Sequence, residues 1–361
     1  MKVKDKKFSS IWLEKGKIKI IDQTKLPFKF KIESLNSLND FCLAIKNMKV
    51  RGAPLIGVTA AYALAFEIQR NSSNENIRSV IKKILKTRPT AVNLRWALET
   101  LKNEVMQFNL SKRPKKAMQI AEKIRQEDIN NCKKIGEFGY KILREIYKKS
   151  RKRINILTHC NAGWLATVDW GTALSPIFYA NKKGIPLHIW VDETRPRNQG
   201  ALLTAWELKN EKIPYTVIVD NAGGHLMQNG DVDLCLVGSD RTTINGDVCN
   251  KIGTYLKAIS AYENKIPFYV ALPTSTIDRK IKNGKDIPIE TRSGKELSKM
   301  LFGKSKSFEE GEIYFKGTNT LNPAFDVTPS KFISKIITEN GICEAKRNSI
   351  KKILINNGKS I

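Results

Sequence analysis

The stretch "NILTHCNAGWLAT", residues 155–167, begins as an apolar run and ends abruptly in a polar turn at residues 158–161. Short runs rich in Ile, Leu and Val are typical of strands buried in a parallel sheet. The turn therefore places His159 and Cys160 at the carboxyl end of a strand, where open α/β sheets bind their ligands. From this position alone, Cys160 can be a nucleophile, a metal ligand, an acid–base group or a small buried hydrophobe.

The same pattern recurs through the second half of the chain, with segments of helical character between the apolar runs. The runs are INILTH (154–159), PLHIWVDE (186–193), YTVIVD (215–220), VDLCLVGSD (232–240) and PFYVALP (267–273). Alternation of strand and helix predicts the α/β class, with a Rossmann-like, doubly wound parallel sheet and helices on both faces.

The first half of the chain has a different pattern. Residues 9–34 alternate short apolar runs with turn signals, which predicts a small β-meander. Residues 36–147 repeat apolar side chains three and four positions apart, which predicts helices. The basic stretch YKKSRKR (147–153) separates the two patterns. We therefore predict a mostly helical domain with a short β-meander over residues 1–147 and a Rossmann-like catalytic domain over residues 148–361.

The composition excludes several classes of protein. The 361 residues carry a formal net charge of +28, but the basic stretches contain few aromatic side chains and are typical of solvated surfaces, so we expect no nucleic-acid partner. Six irregularly spaced cysteines and three histidines argue against a disulfide framework or a metal site. No signal peptide and no run of 18 apolar residues is evident, so we expect a cytoplasmic protein without a membrane partner.

Polar clusters follow nearly every predicted strand of the second half. The sequence lacks a dinucleotide-binding glycine motif, a phosphate-binding P-loop and a nucleophile elbow. The remaining candidates are Cys160 and, after the fourth strand, Asp240. A thiolate and a carboxylic acid on opposite sides of a substrate can act as general base and general acid, which suits proton abstraction next to a carbonyl.

Anion-binding groups form a second set of candidates. Backbone N–H groups at helix starts and guanidinium groups bind phosphate well, although for Arg51 or Arg88 taken alone a solvated arginine at a helix start is the simpler interpretation. The positions are Arg51, Gly52 and Ala53 in VRGAPLIG (50–57), Arg88 in TRPTAVN (87–93), Gln199 after DETRPRN, and Asn250 and Lys251 in NGDVCNKIGT (245–254), the last two at a predicted helix start.

Eight motifs, in the same order, resemble those of the methylthioribose-1-phosphate isomerases. They are RGAPLIGVTAAYALA (51–65), RPTAVNL (88–94), ILTHCNAGWLATVDWGTAL (156–174), DETRPRNQGALLTAWEL (192–208), DNAGGHLM (220–227), VGSDRTTINGDVCNKIGTY (237–255), GKDIPIE (284–290) and NPAFDVTP (322–329). The resemblance covers almost the whole chain.

The resemblance implies an aldose–ketose isomerase of methionine salvage, which converts 5-methylthioribose 1-phosphate to 5-methylthioribulose 1-phosphate. The family's catalytic cysteine and acid match Cys160 and Asp240. Its substrate-binding positions match Arg51, Gly52, Ala53, Arg88, Gln199, Asn250 and Lys251. The resemblance also implies a homodimer that uses no cofactor and no metal.

Two other functions stay open at this stage. Relatives in the wider superfamily act on other 1-phosphorylated pentoses, so 5-deoxyribose 1-phosphate or ribose 1,5-bisphosphate are alternative substrates. Other relatives are non-catalytic regulatory subunits of a eukaryotic initiation-factor exchange complex, which generally lack the paired cysteine and aspartate. Trp164 departs from the family pattern, since a small residue is usual there, and it either narrows the crevice or packs beneath it.

Overall fold

The computed structural model describes residues 1–88, 91–304 and 307–355. The amino-terminal strands are Lys2–Val3 (β1), Lys6–Lys7 (β2), Ile11–Glu14 (β3), Lys17–Ile21 (β4) and Ile32–Leu35 (β5). Strands β3, β4 and β5 pair antiparallel in sequence order, which confirms the predicted meander.

A helical region follows the meander, as its apolar spacing predicts. Its helices are Leu38–Lys46 (α1), Ala53–Arg70 (α2), Asn74–Leu85 (α3), Val92–Val105 (α4) and Arg113–Ser150 (α5). Helix α2 is buried along most of its length and forms the centre of the first hydrophobic core. It begins directly after Gly52, so its free N–H groups face the segment that carries Arg51.

Helix α5 is 38 residues long and joins the two halves of the protein. Its first half contributes Ala121 and Ile124 to the core around α2. Its second half contributes Ile135 and Leu143 to the core beneath the large sheet. The predicted domain division between residues 147 and 148 falls near the end of this helix and stays a prediction.

The second half forms the predicted α/β architecture. Its strands are Ile154–Thr158 (β6), Leu187–Asp192 (β7), Tyr215–Ile218 (β8), Leu234–Val237 (β9), Arg241–Thr243 (β10), Val248–Lys251 (β11), Phe268–Ala271 (β12), Ile277–Asp278 (β13), Lys299–Lys304 (β14), Ser307–Glu312 (β15), Phe325–Thr328 (β16), Lys335–Thr338 (β17) and Gly341–Cys343 (β18). Its helices are Leu174–Lys182 (α6), Ala205–Asn210 (α7), Ala222–Gln228 (α8), Thr254–Glu263 (α9), Lys295–Ser298 (α10) and Arg347–Ile355 (α11).

The five predicted strands correspond to β6, β7, β8, β9 and β12. Within the described ranges they lie side by side in a seven-stranded sheet of order β18-β17-β12-β9-β6-β7-β8. All pairs in this sheet are parallel except the edge pair β17–β18. From β6 the chain moves outward through β7 and β8, and it then returns to the other side of β6 to add β9, β12 and β17. The order of a Rossmann-like sheet is therefore confirmed, with its topological switch point between β6 and β9.

A smaller sheet, in the order β13-β10-β11-β16, lies beyond the carboxyl end of β9. It corrects one prediction. Asn250 and Lys251 do not begin a helix but end β11, and α9 begins only at Thr254. Pairing of β11 with the distant strand β16 extends the backbone here, and the positive φ of Gly253 then turns the chain into the helix.

No described helix combines the length and the apolar character that a transmembrane span needs.

Candidate active site

Cys160 lies two residues beyond β6, on a backbone with a φ of 66°, in the left-handed region that is unfavourable for a side chain with a Cβ. Two threonine hydroxyls hold this conformation. Oγ1 of Thr194 accepts a hydrogen bond from the Cys160 N–H at 2.8 Å, and Oγ1 of Thr204 donates one to the Cys160 carbonyl at 2.7 Å. Thr204 ends a short π-helical turn over residues 200–204, a distortion common at functional sites.

The Arg51 guanidinium lies over the Cys160 side chain. Its Nη2 is 3.8 Å from the Cys160 Sγ and 3.0 Å from the Asn161 carbonyl oxygen, and its Nη1 is 2.6 Å from Oδ1 of Asn161. The guanidinium therefore places a positive charge beside the Cys160 sulfur. Position 52 must be glycine, because its φ is 90° and a Cβ there would collide with the backbone of Ala166.

Asp240 lies three residues beyond β9, on the other side of the switch point. It borders a narrow cleft whose apolar lining includes Ala53, Ile56, Ala91, Ile287, Pro288 and Phe325 and whose charged lining includes Arg88 and Arg241. Burial raises the pKa of the Asp240 carboxyl, and the charges of Arg88 and Arg51 oppose this shift. A carboxyl group with a raised pKa keeps its proton closer to neutral pH, as a general acid requires.

Two buried cations face the same space. Lys251 is 3% exposed, and its Nζ has no hydrogen-bond partner among the described residues. Burial lowers the pKa of Lys251, whereas the nearby Cys160 raises it. The Nε of Arg88 also has no partner there, although its Nη2 lies 3.4 Å from Oε2 of Glu290. Burial of an ammonium without a hydrogen-bond partner among the described residues is costly, which indicates that an anion completes the site beside Lys251.

The remaining predicted residues lie in adjoining segments. Ala53 is the first residue of α2 and also lines the cleft beside Asp240. Gln199 is buried in the segment that leads to Thr204, and its Oε1 has no partner among the described residues. Asn250 is also buried, and its Nδ2 donates to Oγ1 of Thr254 at 3.0 Å, so this amide supports the start of α9.

The ring of His159 is held in the turn by contacts at both of its nitrogens. Its Nδ1 lies 2.8 Å from Oδ2 of Asp192, and its Nε2 lies 2.8 Å from the carbonyl oxygen of Ile252. His159, Asp192 and Asp220 are close enough to share a metal ion, with their ligand atoms within 4.8 Å of one another. The Lys257 ammonium already fills the cationic position, because it lies 3.3 Å from Oδ2 of Asp192 and donates to the Asp220 carbonyl.

Two buried groups near the site escaped prediction. Glu207 in α7 accepts hydrogen bonds from Asn161 and from the backbone N–H of Trp164 and of Leu165. Its helical segment TAWELK gives no signal that this carboxylate points inward. Arg292 lowers the pKa of both Arg88 and Lys251, although it lies outside the predicted motifs.

Trp164 is fully buried in the core, so it packs beneath the crevice.

Comparison with known proteins agrees with this geometry. Residues 49–345 match the model of the Initiation factor 2 subunit family. The methylthioribose-1-phosphate isomerase of Escherichia coli is 52% identical, over 97% of this chain and 95% of the relative. The crystal structure of 5-methylthioribose 1-phosphate isomerase from Pyrococcus horikoshii superposes with a TM-score of 0.82 at 38% identity, over 97% of this chain and 96% of the other.

A second solved structure carries a different name. It is the translation initiation factor eIF-2B, subunit delta, from A. fulgidus. This structure superposes with a TM-score of 0.78 at 35% identity and covers 96% of this chain and 99% of its own.

We expect opposite effects from replacing two equally buried lysines. Lys251→Met removes an unpaired buried cation, so it should raise the free energy of unfolding by about 1 kcal/mol or more and abolish stabilisation by inorganic phosphate. Lys257→Met, the matched control at 4% exposure, leaves Asp192 without its cation and should lower the free energy of unfolding by about 3 kcal/mol. Urea unfolding with and without phosphate measures both, and destabilisation by Lys251→Met would contradict the anion site.

Proposed function

We propose that the chain, which belongs to the methylthioribose-1-phosphate isomerases of the Initiation factor 2 subunit family, converts 5-methylthioribose 1-phosphate to 5-methylthioribulose 1-phosphate in methionine salvage. One observation carries the proposal. Cys160 and Asp240 follow the two strands that border the switch point. The Lys251 ammonium, which has no hydrogen-bond partner among the described residues, faces the same crevice together with Arg88. This arrangement suits a phosphorylated substrate on which a base and an acid act from different sides.

The proposed roles account for every proton in the reaction. Asp240 donates its proton to the ring oxygen as the bond between that oxygen and C1 breaks. Cys160, as the thiolate, removes the proton from C2, which leaves a double bond between C1 and C2. The thiol then returns the proton to C1 while Asp240 takes the proton of the C2 hydroxyl, so both groups regain their starting forms. Lys251, Arg88, Arg51 and the N–H groups at Gly52 and Ala53 bind the phosphate.

The cleft beside Asp240 favours the thiomethyl sugar over the alternative substrates. Apolar side chains form most of its lining, with Phe325 and Ile287 among them. Two arginines also belong to the lining: Arg88, which we assign to the phosphate on C1, and Arg241, which lies 3.7 Å from Oδ2 of Asp278. The apolar side chains that remain gain free energy from a thiomethyl group. The paired Cys160 and Asp240 likewise favour an enzyme over a regulatory subunit.

The homodimer is also a proposal, for which helix α9 offers a surface. Its side chains Leu256, Ile259 and Tyr262 recur three residues apart and are exposed, Leu256 by 60% and Tyr262 by 62%. Exposed apolar stripes of this kind are typical of contact surfaces between copies. The cytoplasmic location stays a prediction from the sequence, as does the absence of a nucleic-acid partner.

The purified protein should convert 5-methylthioribose 1-phosphate and should act at least about tenfold more slowly on 5-deoxyribose 1-phosphate and ribose 1,5-bisphosphate, because both lose contacts in the apolar cleft. A coupled assay of all three sugars measures the preference, and faster turnover of the bisphosphate would contradict it.

Substrate deuterated at C2 tests the route of hydrogen transfer in the same assay. Exchange with water supports the proton path, and full retention at C1 supports a hydride shift instead.

Cys160→Ser and Asp240→Asn should each lower kcat by about 10²- to 10⁴-fold, because each removes one partner of the acid–base pair. The matched controls are Cys42→Ser, in α1, and Asp231→Asn, exposed at the amino end of β9; both should keep wild-type turnover. Circular dichroism checks that all four variants fold. Undiminished activity in both site variants would remove the proposed roles.

The double variant Leu256→Glu with Tyr262→Glu should shift the protein to monomers in sedimentation velocity, because two carboxylates would be buried against the second copy. Leu110→Glu, at an equally exposed leucine between α4 and α5, is the matched control and should leave the assembly intact. A dimer that survives the double variant would assign the interface to another surface.

A further inference from the structure

We propose that Asn161 and Glu207 are positioning residues that hold the Arg51 guanidinium against the Cys160 sulfur. The inference deepens the proposed function, on which it rests, because it adds two residues to the same catalytic site. None of the residue patterns in the sequence assigns them a role. The proposal stands on three successive hydrogen-bonded links, from a buried carboxylate through an amide to the guanidinium.

The first link fixes Arg51. Its guanidinium makes contacts with one short segment that starts at the catalytic cysteine: Oδ1 of Asn161 at 2.6 Å, the carbonyl oxygen of Asn161 at 3.0 Å and Sγ of Cys160 at 3.8 Å. A planar guanidinium bound at two nitrogens cannot rotate without breaking both bonds. The bonds to Asn161 therefore determine where the positive charge lies relative to the sulfur.

The second link fixes the amide of Asn161. Its Nδ2 donates to Oε1 of Glu207 at 2.8 Å and to Oγ1 of Thr204 at 3.2 Å. Because a carboxylate oxygen only accepts hydrogen bonds, the amide nitrogen must face Glu207 and the amide oxygen must face Arg51. A flipped amide would place two donors against the guanidinium, so Glu207 selects the orientation that binds Arg51.

The third link fixes Glu207 itself. Its Oε2 accepts from the Trp164 N–H at 2.8 Å, and its Oε1 also accepts from the Leu165 N–H at 3.2 Å. A Cβ at position 163 would collide with Oε2, so only glycine allows the carboxylate to approach the backbone this closely. The three hydrogen bonds that described residues make to this carboxylate are all donated to it, which is the pattern that an ionised acid forms.

The charge on Glu207 is balanced between opposing effects. Burial raises its pKa to about 7, although the hydrogen bonds from Asn161 and the backbone and the charge of Arg51 favour the ionised form. Arg51, from the segment before α2, supplies the nearby positive charge. Protonation of Glu207 would weaken its hydrogen bond with the Asn161 amide. We therefore expect the hydrogen bonds between Asn161 and Arg51 to be lost as the pH falls.

Asn161→Ala and Glu207→Gln should each lower kcat/KM by about 10- to 100-fold, the range expected when a hydrogen bond to a charged group is lost. The decisive measurement is a double-mutant cycle with Arg51→Ala. If both residues act through Arg51, neither substitution causes a further loss in the Arg51→Ala background. Fully additive losses would overturn the proposal, because they would show that each residue contributes independently of Arg51.

A second readout is the pH profile. In the wild type, kcat/KM should fall as the pH is lowered through about 7, and Glu207→Gln should flatten this acid limb. Asp128→Asn is the matched control, because Asp128 is also buried, has a pKa raised to about 7 by burial and binds the backbone N–H of Val168. It does not contact Arg51 and should keep the wild-type profile, and an equal change in this control would overturn the proposal.

The experiment separates this inference from the proposed function. A wild type that turns over none of the three sugar phosphates contradicts the proposed function, and the links are then tested with inorganic phosphate in a thermal-shift assay. Arg51→Ala, Asn161→Ala and Glu207→Gln should reduce the phosphate-induced rise in Tm equally. The Asn161→Ala variant should fold even if Glu207→Gln does not. If phosphate raises the Tm of Asn161→Ala as much as that of the wild type, the inference is overturned.

Discussion

The crevice between the carboxyl ends of β6 and β9 exists because the chain leaves these two neighbouring strands toward opposite sides of the sheet. The connections after β6 lead outward to β7 and β8, and those after β9 lead to β12 and β17. The segments that follow β6 and β9 therefore leave the crevice between the two carboxyl ends open. The residues directly after both strands meet in this crevice. The positions of Cys160 and Asp240 depend on this single reversal.

The second property of the site is that several of its buried polar atoms lack hydrogen-bond partners among the described residues. Lys251 and Arg88 are buried with polar atoms that have no partner among the described residues, and the Oε1 of Gln199 is in the same condition. Each such atom lowers the stability of the free protein. A bound phosphate reverses the cost because it accepts hydrogen bonds and supplies negative charge, so ligand binding and folding stability are linked at this site.

The sequence predicts the sheet and the positions of Cys160 and Asp240 after two of its strands because both depend on local patterns. An apolar run that ends in a polar cluster identifies a strand and its carboxyl end without knowledge of any distant partner. The smaller sheet was missed because its strands are short and pair across long separations, as Val248 does with Thr328. Asn250 and Lys251 were assigned to a helix for the same reason. Glu207 was missed because a carboxylate within a helix is usually solvent-exposed, and only the tertiary structure shows that it points toward Gly163.

Helix α5 has a mechanical consequence for this site. Arg51 and Cys160 come from different halves of the protein, and α5 inserts one end into each of the two cores. A helix of 38 residues is about 57 Å long and is stiff. The two halves therefore cannot move apart unless α5 bends, so this helix and the two cores that it connects fix the distance between the guanidinium and the sulfur.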